Sequence, residues 1–494
     1  MTRVVATNAP RHHGFENELH KSPGYAGLRL HITRRSSAEP SVAHAVVAHR
    51  VGGCATPGHS ARYVSLRSLR VGNAITVIRN VRPPTCSEVP DDAMRSRSRT
   101  FRLTCSLLAA FFTVPCRPGL QGQQIEHWHV RAVPELSIGE LEGAEEQILV
   151  APQAGTVLTD GTVVIQNSLR GLFEIRYYSS TGQHLRTASR WGQGPFEFHV
   201  ALGLHRLPGD SLLVVGQLDR LAVFGPEGER VREGRAGLRP VVPLMQSLLV
   251  DAHHIALLKS VESGLPEPGA HRSRTLVLLH DLTSHQTDTV TTVLGRNTHY
   301  ELMRNRSGVS FHPMPFSPQT HVAGGSGYVW IGDFQEPDIR GFRPGGEGPT
   351  TIIEVDRQAQ VVTREDRERL QHVYATQSSG DTQRRWARFA RSMEFPDRMP
   401  YFGDIQTDQL GNIWVQDYEP PWTTGPQRWD VYSPLGYRIA TAELPETILP
   451  ACARGTVYGC GHLGGILEIG DDYLLVRQHG HLGVTRVAKY TLLK

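Results

Sequence analysis

Residues 402–444 read FGDIQTDQLGNIWVQDYEPPWTTGPQRWDVYSPLGYRIATAEL, and this stretch decides the fold. Four runs of β-branched, aliphatic and aromatic residues alternate with polar segments. Short turns occupy residues 408–411 and 433–436, and a longer polar loop occupies residues 417–427. Alternating apolar and polar residues bounded by turns with Gly or Asp are typical of antiparallel hairpins. The stretch therefore predicts a sheet of four antiparallel strands.

The same phrase recurs through residues 123–494. Its second run follows a turn near residues 161, 209, 254, 327, 411 and 471. The shorter spacings of about 45 residues match a propeller blade, and the longer ones imply insertions. The last copy lacks a fourth run, which a strand between Trp128 and Ile138 could supply, and closure would leave no open sheet edge. We expect an all-β, six-bladed β-propeller over residues 123–494, with two smaller β-sandwiches as the alternative.

One insertion, at about residues 364–395, has a helical period. A shorter helix is predicted over residues 364–374, and Asp381 can cap a second helix. The apolar stripe of the second helix comprises Trp386, Phe389, Ala390 and Met393. This spacing puts the four side chains on one face. We expect the stripe to pack on the propeller rim; a helix that binds a partner is the alternative.

The first 122 residues differ from the rest of the chain. Residues 1–93 show no sustained period and are rich in Arg, His, Ser and Pro, which indicates a disordered extension or a mis-assigned start. Residues 94–122 begin with a cationic segment at Met94, continue with an apolar run and end in polar residues. This order is typical of an export signal peptide, and the run is shorter than the roughly 20 residues of a membrane-spanning helix. We expect a periplasmic or extracellular protein without a transmembrane span in the mature chain.

The cysteines and the charge distribution bear on membrane anchoring, disulfide formation and the kind of partner. Pro115 precedes Cys116 and disfavours lipidation there, so a lipid anchor at Cys116 is the less favoured alternative. Cys452 and Cys460 are the cysteines after residue 122, and in an oxidising compartment we expect them to form a disulfide. Residues 1–122 carry a net charge of +11, and residues 123–494 carry −7. The negative body argues against nucleic acid as a partner.

Two phrases resemble known propeller sequences. Residues 411–417 (GNIWVQD), followed by residues 429–432 (WDVY) and Gly436, resemble an NHL-type repeat. Residues 191–198 (WGQGPFEF) resemble the Gly-x-Gly-Pro-x-Glu-Phe phrase of exported bacterial six-bladed propeller proteins. The resemblance covers most of residues 123–494 and implies six blades, export and an often unassigned function. It brings no catalytic motif, so it leaves open whether the chain is an enzyme.

In such blades, the loops between the second and third strands gather on one face around the channel. Oxygen ligands from several blades could hold Ca²⁺ there, as in lactonase-type propellers, in which a channel cation polarises a carbonyl. An Asp just past a strand can instead cap a turn by accepting hydrogen bonds from backbone amides. The residues expected on this ligand-binding face are Asn167, Asp219, Asp333, Asp417, Tyr418, Trp422 and His479.

The same loops suggest ligands other than a cation. The segment Tyr418-Glu419-Pro420-Pro421-Trp422 places aromatic residues beside rigid prolines, which suits a sugar or a peptide. In the last copy, the loop after the second run begins with basic residues, namely Arg477, His479 and His481, and these would lie on the same face. The Gly-rich phrases lack the ending of a phosphate loop, and the Gly-x-Ser-x-Gly elbow of serine hydrolases is missing from the sequence. We expect a protein that binds a protein, peptide or glycan partner; a Ca²⁺-dependent lactonase-type hydrolase and a structural scaffold are the alternatives.

Overall fold

The computed structural model describes most of the chain from residue 125 onward and two short segments before it. The described ranges are 31–32, 45–46, 125–169, 171–238, 244–262, 267–302, 309–376, 380–420, 422–448, 465–479 and 484–494. Contacts divide the chain into residues 1–112 and residues 113–494. In the first unit, strand β1 (His31–Ile32) pairs antiparallel with β2 (Ala45–Val46). The expected signal peptide at 94–122, Cys116 and the expected Cys452–Cys460 disulfide lie outside the described residues.

The second unit is all-β apart from a helical insertion, as the sequence predicts. Two strands come first, β3 (Glu126–Val130) and β4 (Leu136–Ile138). Sheet I contains β5 (Pro152–Val157), β6 (Val163–Leu169), β7 (Leu172–Tyr178) and β8 (His184–Thr187). Sheet II contains β9 (Ala201–Arg206), β10 (Leu212–Gly216), β11 (Arg220–Phe224) and β12 (Arg230–Arg235). Sheet III contains β13 (Leu244–Leu249), β14 (His254–Ser260), β15 (Gly269–Asp281), β16 (Thr287–Leu302) and β17 (Val309–Pro313).

The remaining sheets follow in chain order. Sheet IV contains β18 (Thr320–Gly325), β19 (Tyr328–Asp333), β20 (Asp338–Phe342) and β21 (Pro349–Glu354). Sheet V contains β22 (Phe402–Thr407), β23 (Ile413–Asp417), β24 (Gln427–Tyr432) and β25 (Arg438–Leu444). Sheet VI contains β26 (Ile466–Ile469), β27 (Tyr473–His479) and β28 (Thr485–Leu493). Within each sheet, strands that are consecutive in the chain pair antiparallel.

The strands near residue 130 complete sheet VI. β4 pairs antiparallel with β28, where Leu136 is opposite Lys489 and Ile138 is opposite Val487. β3 pairs parallel with β25 of sheet V and antiparallel with the end of β28, so it joins sheets V and VI into one continuous nine-stranded sheet. The prediction that a strand between Trp128 and Ile138 closes the last sheet is thereby confirmed.

The first strands of the sheets pack side by side. β5 contacts β9, β9 contacts β13, β13 contacts β18, β18 contacts β22, and β26 contacts β5. The turns that follow these inner strands also meet: the Gly327 amide donates to the Val250 carbonyl at 2.9 Å, and the Gln409 amide donates to the Ile469 carbonyl at 2.9 Å. We call this end of the sheets the back face and the end at which the inner strands begin the front face. The arrangement is propeller-like.

Apolar clusters fill the space between successive sheets, and one of them joins sheet VI to sheet I. In the cluster of sheets V and VI, Trp414 lies 5.6 Å from Trp128 of β3 between ring centroids. In the cluster of sheets VI and I, Leu475 packs with Ile165 and with Ile138 of β4. The alternating residues of each strand thus serve two interfaces, one on each side of its sheet.

The insertion between sheets IV and V holds two helices, α1 (Arg364–Thr376) and α2 (Gly380–Ser392). The predicted stripe is buried, and it packs against Leu370 and Tyr374 of α1 and against Met314 and Phe316, which follow β17. The stripe of α2 therefore serves the interior of the protein. Among the described residues, no helix is long and apolar enough to cross a membrane.

The pairing of β4 with β28 predicts a contrast between adjacent residues. Ile138 is 1% exposed and Ser137 is exposed. Ile138→Asp buries a charge in the cluster between sheets VI and I, so we expect a loss of about 3 kcal/mol or more in the free energy of unfolding. Ser137→Asp on the opposite side of the strand is the control and should change it by less than about 0.5 kcal/mol. Thermal melts of both variants check this, and equal midpoints would contradict the role of β4.

Candidate functional site

The front face carries the residues that the sequence predicts on a ligand-binding face. In sheets I, IV and V, the first residue of the inner strand is opposite Asn167, Asp333 and Asp417, respectively, near or at the end of the second strand. These three side chains therefore occupy equivalent positions. His479 ends β27 in sheet VI, and Asp219 lies in the turn between β10 and β11.

Asn167 and Asp219 each hold a loop. Asn167 is fully buried, and its Oδ1 accepts from the amides of Val150 at 3.1 Å and Ala151 at 3.0 Å. Its Nδ2 has no hydrogen-bond partner among the described residues. The carboxylate of Asp219 accepts from Arg235 at 3.1 Å and from the amide of Leu238 at 3.1 Å. Both contacts are of the kind that caps a turn or ties down the adjoining segment.

Asp333 and Asp417 face arginines. Asp333 Oδ2 accepts from Arg272 at 2.6 Å. Asp417 forms an ion pair with Arg357, whose guanidinium also lies 2.5 Å from Asp430. Burial raises the pKa of Asp417, and the Arg357 cation opposes that shift. The two carboxylates are thus each neutralised by a guanidinium of the same chain.

These pairs bear on the expected calcium site. In the described ranges, no group of three or more His, Cys, Asp or Glu side chains is placed to hold a metal ion. Ca²⁺ needs six to eight oxygen ligands. To recruit Asp219, Asp333 and Asp417, the ion would have to displace an arginine from each carboxylate.

In sheet VI, basic side chains occupy the corresponding positions. Arg477 is buried and donates to the carbonyl of Pro152 at 2.9 Å, and burial lowers its pKa. His479 is largely exposed, and its Nδ1 lies 3.2 Å from the hydroxyl of Thr485. Partial burial and the nearby Arg477 cation lower the pKa of His479. His481 lies outside the described residues.

The aromatic loop turns toward the helical insertion. Tyr418 and Trp422 both lie beside Phe316, with ring centroids 6.5 Å and 6.0 Å away. Arg369 of α1 stacks over Trp422, with its guanidinium 5.7 Å from the ring centroid. Trp422 lines a groove of about 390 Å³ with α1 residues Glu365, Glu368, Arg369, His372 and Val373. The two predicted aromatic residues thus contribute mainly to packing, and Trp422 keeps one side on this groove.

A polar relay crosses sheets III, IV and V at the front face, and sequence reasoning missed it. Arg296 Nε donates to Gln319 Oε1 at 2.6 Å, Gln319 Nε2 lies 2.7 Å from His321 Nε2, and His321 Nδ1 lies 2.7 Å from Asp404 Oδ1. Arginine can only donate, so this contact fixes the orientation of the Gln319 amide. The amide then donates to His321 Nε2, and the histidine proton sits on Nδ1, where Asp404 accepts it. The four residues come from three segments, with Gln319 and His321 together at the start of β18, and no sequence spacing links this pair to Arg296 or Asp404.

An exposed apolar surface also escaped prediction. We define the apolar rim as Val150, Trp191, Val200, Leu218 and Met245, whose exposed fractions lie between 42% and 57%. Backbone hydrogen bonds connect its centre: Gln217 donates to the Val200 carbonyl at 3.1 Å and accepts from the Leu244 amide at 2.9 Å. Trp191 stacks on His199, with 4.5 Å between ring centroids. In the sequence, Val150 and Val200 stand just before inner strands. A valine in that position can equally be the buried start of a strand, so the sequence did not show that these two are exposed.

Below the rim, the inner strands of sheets II and III are joined by a histidine. His205 Nε2 lies 2.9 Å from the hydroxyl of Ser247. Burial lowers the pKa of His205 to about 4. The ring is therefore neutral at pH 7, which suits a contact between packed strands better than proton transfer.

Comparisons with known proteins add likenesses of fold. No protein-family model and no curated protein matches the chain. Solved structures do: a Bacteroides fragilis protein described as exported matches at 9% identity over 74% of this chain and 95% of its own, with a TM-score of 0.38. The WD40 domain of Neurospora crassa Pan2 matches at 7% identity over 74% of this chain and 95% of its own, with a TM-score of 0.32. Chaetomium thermophilum Raptor matches at 9% identity over 75% of this chain and 29% of its own, with a TM-score of 0.34.

His205 predicts a pH dependence of stability. Its folded pKa of about 4 is below the ordinary value of 6.5, so the unfolded chain binds the proton first as pH falls. The contribution of neutral His205 is complete above pH 6.5 and is lost as pH falls toward 4. The melting midpoint of His205→Gln should therefore vary less with pH between 4 and 6.5 than that of the wild type. His129→Gln, at an exposed position of β3, is the control; identical profiles for all three proteins would refute the assignment.

The arginine–carboxylate pairs predict a weak response to calcium. Saturation of a real site at a hundred times its dissociation constant would stabilise the fold by about 2.7 kcal/mol. Because Asp219, Asp333 and Asp417 are already paired, we expect added Ca²⁺ and added chelator to leave the melting midpoint unchanged. Mg²⁺ at the same concentration controls for ionic strength. A rise of several degrees with Ca²⁺ alone would favour the lactonase-type alternative.

Proposed function

We propose that the chain is an exported six-bladed β-propeller that binds a peptide or protein partner on its front face. The contact of β26 with β5 and the pairing of β4 with β28 support a ring built of sheets I to VI. The sequence of residues 94–122 supports export. The resemblance of residues 411–436 to an NHL-type repeat agrees with six blades.

The apolar rim is the observation that supports partner binding. Its five side chains come from sheets I to III and the loops between them, and backbone hydrogen bonds among Val200, Gln217 and Leu244 link the segments that carry Val200, Leu218 and Met245. Scattered exposed apolar residues are normal, whereas a connected group on one face is typical of an interaction surface. Trp and Met, two members of the rim, are enriched at such interfaces. Beside sheet III, in contrast, Met314 and Phe316 are covered by α1 and α2.

The titratable groups of the front face favour binding over hydrolysis. A general base needs a free acceptor within reach of the substrate. His321 Nε2 already accepts from Gln319, and its Nδ1 proton is directed at Asp404. Asp333 and Asp417 accept from arginines. His321 Nε2 could therefore take a proton from a substrate only if its contact with Gln319 broke.

Site-specific photo-crosslinking in the organism of origin tests the proposal. A photoreactive residue at Leu218 or Met245 should give discrete adducts, because a bound partner covers the rim. The same residue at Leu410 or Leu435, which are 55% and 71% exposed in turns on the back face, is the matched control. The double variant Leu218→Asp and Met245→Asp should abolish the adducts of a photoreactive residue at Val200 without changing the melting midpoint. Equal adducts from both faces, or none from the rim, would sink the proposal and leave a scaffold as the better account.

A further inference from the structure

The arginines of the front face fall into two groups. Three of them pair with carboxylates at 3.1 Å or less: Arg235 with Asp219, Arg272 with Asp333, and Arg357 with Asp417. Arg296 and Arg477 contact neutral acceptors instead: Arg477 is buried and donates to the Pro152 carbonyl, and Arg296, which is only half-buried, donates through Nε to the amide oxygen of Gln319. In the described part of the chain, no carboxylate pairs with Arg296, and its Nη1 and Nη2 have no acceptor.

The relay does not neutralise Arg296. Neither the Gln319 amide nor the His321 imidazole carries a negative charge in any tautomer, so neither link can neutralise a guanidinium. Asp404, at the far end, already accepts from His321, from the Ile405 amide at 2.8 Å and from the Gln406 side chain at 3.0 Å. The guanidinium thus keeps an uncompensated positive charge at a half-buried position. Burial also lowers the pKa of Arg296, so the charged form is disfavoured by its surroundings.

The relay does orient Arg296. A contact of 2.6 Å at Nε fixes the plane of the guanidinium, and Gln319 is itself held by His321. The edge that remains presents the Nη1 and Nη2 donors side by side, a geometry that matches the two oxygens of a carboxylate. Because the donor is already oriented, little side-chain entropy is lost when an anion binds.

We propose that Arg296 anchors an anion site at the front face and that its ligand carries a carboxylate. The ligand oxygens accept from Nη1 and Nη2, while Gln319, His321 and Asp404 act as positioning residues. The site lies at the foot of the helical insertion, near Tyr374 of α1. It is separate from the apolar rim and stands whether or not the rim binds a partner.

Binding of succinate to the purified full-length protein tests the site, with acetate, phosphate and chloride at equal ionic strength as comparisons. For the wild type we expect saturable binding of succinate by calorimetry, with a dissociation constant on the order of 1 mM, and a matching rise of the melting midpoint. Arg296→Gln should weaken binding at least about tenfold, and Arg296→Lys should restore part of it, because Lys keeps the charge but loses the fork. Gln319→Ala should weaken binding by a smaller factor, because it removes only the orientation.

A second readout separates a ligand site from a structural role. Without added anion, Arg296→Gln should melt at or above the wild-type temperature, because it removes an unpaired charge from a half-buried position. Arg340→Gln is the matched control: Arg340 is 54% exposed in its side chain and pairs with Asp338 at 2.7 Å, so its loss should leave succinate binding unchanged. Equal succinate affinity in the wild type and Arg296→Gln, or no saturable binding up to about 50 mM, would overturn the proposal. Binding of phosphate but not succinate would overturn the carboxylate assignment.

Discussion

The pairing of β4 with β28 is the contact on which the rest of the structure depends. Every sheet from I to VI packs on two neighbours, so each interface is stable only if the next one forms. Sheet VI meets this condition with β4, which is about 350 residues away from β28 along the chain. Without that strand, β28 would present unpaired amides and carbonyls, and the cluster that joins sheets VI and I would lose Ile138.

A second constraint acts on the front face itself. The ends of the second strands carry polar residues that are half-buried by the neighbouring loops, and a charge in such a position needs a partner. Arg272 and Arg357 meet this need for Asp333 and Asp417 from segments about 60 residues away. A guanidinium suits the role because its planar fork can contact two oxygens, as Arg357 does with Asp417 and Asp430. Asp219, Asp333 and Asp417 on this face thus each accept from an arginine of the same chain.

How much of this the sequence could predict depends on the range of each interaction. Local signals were reliable: Gly161 and Gly411 have φ values of 86° and 82°, the left-handed conformation that their turns require, and the periodic stripe of α2 is buried. The closing strand was also predictable, because an incomplete last copy implies a missing partner. The arginine pairs and the relay from Arg296 to Asp404 were not, because they join side chains from separate sheets. Nor could spacing tell that Tyr418 and Trp422 pack beside Phe316, which depends on how the insertion folds back.

The helical insertion explains why the front face is divided. An apolar stripe with Trp386, Phe389 and Met393 must be covered, and the nearest apolar surface is the loop after β17 and the loop that carries Tyr418. Covering it packs Tyr418 and Trp422 beside Phe316, whereas the five side chains of the apolar rim on sheets I to III stay exposed. Arg296 lies near Tyr374 of the insertion, where burial penalises a lone charge, and among the described residues its Nη1 and Nη2 have no acceptor. The packing of the helical insertion therefore affects both the apolar rim and Arg296, because it decides which apolar side chains are covered and how deeply the Arg296 charge is buried.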